Sequence, residues 1–67
     1  MRVESGDIVK LQSGDGSQIN IRLTVERQRG SEVELKREDF FSEAPAEMFW
    51  VNTSKIVCVQ STVASND

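Results

Sequence analysis

The stretch that decides the fold is Gln18-Ile19-Asn20-Ile21-Arg22-Leu23-Thr24-Val25-Glu26. Apolar and polar side chains alternate along it without interruption. A period of two is typical of a β-strand, and it places the apolar side chains on one face and the polar ones on the other. We therefore predict a strand over 18–26 with four buried side chains, namely Ile19, Ile21, Leu23 and Val25.

Two neighbouring segments supply the apolar surface against which this strand packs. Residues 7–12 and 32–36 alternate in the same way. Turn formers connect them to the central strand, with Asp-Gly inside 13–17 and Gly30 at a left-handed position inside 27–31. The result is a three-stranded meander with one apolar and one charged face. Its inward side chains outside the central strand are predicted to be Val9, Leu11, Val33 and Leu35.

The pattern changes after residue 36. Residues 37–48 break the alternation, and Pro45 ends any helix that begins among them. We predict an ordered loop here, with Phe40 and Phe41 folded over the open end of a barrel.

Two short continuous apolar runs follow, at 48–51 and 56–59, with a turn at 52–55 between them. Continuous apolar runs of this length indicate strands that are covered on both faces. We predict that they form a final hairpin. Cys58 is expected to pack in the core as a small hydrophobe, and Trp50 is expected to be the exposed aromatic residue.

Five short strands with tight turns predict an all-β fold, a small five-stranded SH3-like or related partly open β-barrel built from a meander. The opening Gly6-Asp7-Ile8-Val9-Lys10-Leu11-Gln12-Ser13-Gly14 resembles the first strand of several small SH3-like bacterial proteins. The resemblance covers these residues alone and implies no function. We expect one domain at 1–60 and a frayed polar tail at 61–67.

Composition restricts the chemistry of the chain. Its 67 residues include one cysteine and neither histidine nor tyrosine. The common general bases and nucleophiles are therefore lacking, and so are the ligands of a Cys/His zinc site. We predict a protein that is not an enzyme and has no cofactor. No secretory signal and no apolar run of membrane-spanning length is found, so we expect no membrane association and a cytoplasmic location.

The acidic side chains are concentrated in residues 38–47, which carry four acids and no base. Clustered carboxylates are potential ligands for Ca²⁺, but their spacing fits no known binding loop. A solvated acidic loop explains them as well, and we predict no metal site. The four residues are Glu38, Asp39, Glu43 and Glu47.

Two binding functions fit the remaining pattern. The acidic-aromatic segment 38–50 holds more large apolar side chains than a small core can enclose, which predicts a protein-interaction module that self-associates as a homo-oligomer. Its partner-binding residues would be Phe40, Phe41, Phe49 and Trp50. The alternative is a small nucleic-acid-binding barrel with a basic rim, although acids are interleaved with the bases. Those bases are Arg22, Arg27, Arg29, Lys36 and Arg37.

Overall fold

A computed structural model describes residues 3–14 and 19–60. Its strands are β1 (Ile8–Leu11), β2 (Ile21–Arg29), β3 (Glu32–Asp39), β4 (Glu47–Asn52) and β5 (Ile56–Gln60), with a 3-10 turn at Thr53–Lys55. All strand pairs are antiparallel, and they form one sheet in the order β4-β3-β2-β1-β5. The sheet is not closed, since β4 and β5 end it on either side. The all-β class is confirmed, whereas the predicted tail at 61–67 lies outside the described residues.

One face of the sheet carries the core. Leu23, Val33 and Leu35 are fully inaccessible to solvent, and the other core side chains are nearly so. Complete burial of an aliphatic side chain stabilises the fold by about 1.5–3 kcal/mol. The alternation in 18–26 predicts four buried side chains, and three of them are buried in the structure, namely Ile21, Leu23 and Val25. The core residues are Val3, Val9, Leu11, Leu23, Val25, Val33, Leu35 and Ile56, and Ile21 is buried as well.

The prediction that Ile19 is buried is wrong, because 94% of this residue is exposed. β2 begins only at Ile21, and Ile19 lies with Asn20 in the preceding turn. The Asn20 carbonyl accepts a hydrogen bond from the Phe40 N–H at 2.8 Å, and the Asn20 side-chain amide donates to Asp39 Oδ1 at 2.9 Å. Alternation shows which side chains share a face, but it does not show where a strand starts. Gln18 lies outside the described residues.

The turn between β2 and β3 follows the prediction. Gly30 adopts a φ of 62°, a left-handed conformation that glycine accepts without steric cost. The turn is shorter than the predicted range 27–31, because β2 continues to Arg29 and β3 starts at Glu32. In the predicted turn 13–17, residues 15–17 lie outside the described part of the chain.

The predicted loop at 37–48 is shorter in the structure, because β3 continues through Asp39 and β4 begins at Glu47. The phenylalanines do not cover an open end of the sheet. Phe40 is 53% exposed and Phe41 is 83% exposed. Both follow the last residue of β3, where the chain turns away from the core.

The predicted final hairpin is wrong. β4 pairs with β3, whereas β5 crosses to pair with β1. The pairing of β5 contains an irregularity, since Lys10 faces Cys58 but Leu11 faces Ile56. Val57 is the additional residue of this bulge. Beyond it, the side chains of β5 point to the opposite faces of the sheet from those that uninterrupted alternation would give. Cys58 is consequently exposed beside Lys10, and the prediction that it packs in the core is wrong.

Candidate protein-interaction surface

The face of the sheet opposite the core, here called the outer face, is mostly charged. Paired residues on adjacent strands project to the same face of a sheet. The register therefore sets three rows across β2, β3 and β4, and each row ends in a β4 side chain. The rows are Thr24–Lys36–Met48, Arg27–Glu34–Trp50 and Arg29–Glu32–Asn52.

Two large apolar side chains lie on the β4 end of this outer face. Met48 is 48% exposed and Trp50 is 36% exposed. The Arg29 guanidinium lies over the Trp50 ring, 4.8 Å from its centroid. This contact covers part of one ring face and restrains the indole. The expectation that Trp50 is the exposed aromatic of its strand agrees with this placement.

Phe40 and Phe41 lie apart from Trp50, beyond the end of β3. The Arg22 guanidinium is 4.9 Å from the Phe40 ring centroid. The Phe41 N–H donates to Asp39 Oδ1 at 2.9 Å, which fixes the backbone of the turn and leaves the Phe41 ring in solvent. Both side chains are therefore exposed apolar groups just past the end of β3.

Phe49 differs from the other predicted partner-binding residues, because it lies on the core face. It pairs with Leu35 and packs against the core in a half-buried position. A hollow of about 530 Å³ opens beside it, lined also by Leu11 and Val51. The core is thus incompletely covered along β4, and Phe49 contributes to the rim of that opening.

Two bases of the predicted basic rim are ion-paired on the outer face. Arg27 Nε lies 2.7 Å from Glu34 Oε1, and Lys36 Nζ lies 3.9 Å from Glu38 Oε2. Arg37 does not belong to the rim, because it pairs with the buried Leu23 and therefore projects from the core face. The remaining two bases, Arg22 and Arg29, lie over aromatic rings.

The four acidic residues do not come together. Glu47 Oε1 lies 3.6 Å from Arg37 Nη1, and Glu38 faces Lys36 on the outer face. The pKa of Asp39 is lowered, mainly by the hydrogen bond from the Asn20 side chain and then by that from the Phe41 N–H. Asp39 is therefore an ionised structural acceptor for the turn at neutral pH.

One edge of β4 is unpaired within the described sheet. The Thr53 N–H donates to the Ser31 carbonyl at 2.8 Å, continuing the β3–β4 ladder. Backbone groups along a strand alternate between its two sides, so Phe49 and Val51 direct theirs toward β3. Those of Met48, Trp50 and Asn52 point to the opposite side, where none of the strands at 3–14 and 19–60 pairs with β4.

Comparison with other proteins adds no functional assignment. The chain matches no family model, no curated protein and no solved structure. In residues 3–14 and 19–60, no three histidine, cysteine or acidic side chains are grouped so as to hold a metal ion. The same residues contain no helix with the length and apolarity needed to cross a bilayer.

Sequence reasoning missed two features of this surface. The first is the stacking of Arg22 and Arg29 on aromatic rings that are distant in sequence. The second is the free edge of β4, because the apolar run at 48–51 was expected to pair within a final hairpin. β4 carries no Lys or Arg, the residues that commonly mark an edge strand, so its own sequence held no signal of the free edge.

Proposed function

We propose that the protein is a non-catalytic protein-interaction module that self-associates through β4 and the residues around it. The observation that carries this proposal is the position of Met48 and Trp50, which lie exposed on a strand whose outer edge pairs with none of the described strands. Exposed apolar side chains next to an unprotected edge are typical of an interface.

The charges support a protein partner over a polyanion. Arg27 and Lys36 are engaged with acids on the same face. Trp50 lies at the β4 end of the row Arg27–Glu34–Trp50. Glu34 is beside it on β3, and the Arg29 guanidinium lies over its ring. An aromatic anchor surrounded by polar groups is the usual composition of an interface hot spot.

Replacement of Trp50 tests this proposal. We expect wild-type protein to show a mass above 7.5 kDa that rises with concentration in sedimentation equilibrium from micromolar to millimolar. Trp50→Ala should raise the dissociation constant about thirtyfold, the change that corresponds to a hot spot of about 2 kcal/mol. Its far-ultraviolet circular dichroism should remain that of a β protein, because the side chain lies outside the core.

Ile19→Ala is the matched control, since it also removes an exposed apolar side chain but lies far from β4 in the chain. It should leave association unchanged. Measurements are made with reductant, because Cys58 is exposed and free. A wild-type chain that stays at 7.5 kDa at every concentration would contradict self-association.

We also propose that the open sheet is an SH3-like, partly open barrel. The support is the arrangement of its strands, with β1 pairing on one side with β2 and on the other with β5. The 3-10 turn at Thr53–Lys55 carries the chain from one terminal strand to the other. Core side chains on a single face are consistent with a sheet that curls around them.

A second candidate function is nucleic-acid binding at the end of the sheet that carries Phe40. The observation that favours it is the stacked pair of Arg22 and Phe40, with the highly exposed Phe41 beside it. Aromatic rings next to arginine provide stacking platforms for unpaired bases. The site would bind single-stranded RNA or DNA through these residues.

Salt dependence tests this second candidate. Single-stranded oligonucleotide binding should weaken steeply as salt rises, because phosphate contacts release counterions. Arg22→Glu should abolish binding, whereas Lys55→Glu makes the same charge change on an exposed residue elsewhere and should largely preserve it. Unchanged fluorescence anisotropy of a labelled oligonucleotide at low salt would rule this candidate out.

A further inference from the structure

We propose that two copies of the chain join edge to edge through β4, in an antiparallel pairing with Trp50 at the two-fold axis. This inference rests on the proposed self-association and specifies its geometry. It follows from the direction of the β4 backbone groups, the order of its side chains and the position of its charges.

Backbone geometry restricts the pairing to a few registers. Within β4, Met48 and Trp50 direct both N–H and C=O groups to the free edge, whereas Asn52 offers only its N–H there because its carbonyl begins the 3-10 turn at Thr53–Lys55. With Trp50 opposite the partner's Trp50, all three take part and about four interstrand hydrogen bonds form. A shift that places Phe49 on the axis forms about as many, so the side chains distinguish these two registers.

On the core face, side-chain order favours the register with Trp50 on the axis. This register places Phe49 beside the partner's Val51, so that the apolar rims of the two hollows meet. The alternative with Phe49 on the axis instead places Val51 beside the partner's Glu47, an apolar group against a charge. Cross-strand apolar pairs stabilise a sheet, whereas such a mismatch does not.

The charges at the two ends of β4 are complementary in this arrangement. Glu47 is the first residue of the strand, and Lys55 follows shortly after its end. An antiparallel two-fold pairing brings the acidic start of each strand toward the basic end of the other. The like charges of the two copies are kept apart, which favours this orientation.

The other terminal strand is a poorer edge. β5 contains the bulge at Val57, and bulges disturb the regular spacing that a second strand needs. A head-to-tail contact from β4 to β5 would use this irregular edge, and it would extend to rings or chains rather than stop at two copies. The β4 pairing is closed and ends at a dimer.

A charge-swap experiment at position 50 tests the axis. Trp50→Lys and Trp50→Glu each place like charges opposite one another, and each should weaken dimerisation by at least about a hundredfold. Mixed in equal amounts, the two variants should form a heterodimer of twice 7.5 kDa in sedimentation and native mass spectrometry. This recovery is expected when residue 50 lies close to residue 50 of the other copy, as in a two-fold pairing through β4.

Val57→Lys and Val57→Glu form the matched control pair, since Val57 is an exposed apolar residue on the opposite terminal strand. Both should dimerise as the wild type does. Circular dichroism verifies that all four variants fold.

The outcomes separate this inference from the function on which it rests. A wild-type dimer with no recovery in the position-50 mixture, or with dimerisation lost in the Val57 variants, overturns the β4 pairing and leaves self-association standing. A wild-type chain that is monomeric throughout overturns both.

Discussion

Leu23→Ala should lower the free energy of unfolding by about 2–5 kcal/mol, because it removes a core side chain with no solvent exposure. Leu23 pairs with Val9 in β1 and with Arg37 in β3, so it lies in the middle of the sheet. The neighbouring strands hold the backbone in place, and the space left by the side chain cannot close fully. A domain of this size has a total stability of about 3–10 kcal/mol.

Urea denaturation followed by circular dichroism measures this loss. The midpoint should fall while the slope stays unchanged, as expected when the native state weakens without a change in the surface exposed on unfolding. Ile19→Ala is the matched control, since its side chain is 94% exposed and its effect should lie within about 0.5 kcal/mol. A loss below about 1 kcal/mol for Leu23→Ala would contradict the assigned core.

Asp7→Ala should produce the second large loss, about 1–3 kcal/mol, because it removes a buried hydrogen-bond acceptor. Asp7 is 6% exposed and is the one buried polar residue among those described. Its Oδ2 accepts from the Glu4 N–H at 2.9 Å, and its carbonyl accepts from the Val25 N–H at 2.8 Å. The side chain thus fixes the turn that leads the chain into β1.

Asp7→Asn distinguishes the acceptor from the charge. The asparagine retains a side-chain oxygen of nearly the same position, so its loss of stability should be smaller than that of Asp7→Ala. Thermal unfolding under identical buffer conditions compares the two variants. Equal losses would show that the carboxylate charge, and not the hydrogen bond to Glu4, stabilises the turn.

The sequence by itself determined the central hairpins and their buried face. Alternation at Ile21, Leu23 and Val25 predicts which side of β2 is apolar, because side-chain direction repeats every two residues. The position of Gly30 likewise follows from local backbone conformation. These features depend on neighbours in the chain, and a single sequence contains that information.

The tertiary structure alone decided where the last two strands pair. The apolar runs at 48–51 and 56–59 fit a hairpin as well as they fit two separate terminal strands, since local periodicity does not encode a long-range partner. The bulge that exposes Cys58 arises only when β5 meets β1. The free edge of β4 has the same origin: hydrogen bonds between strands are set by the arrangement of the whole sheet, and that arrangement leaves Trp50 at its margin.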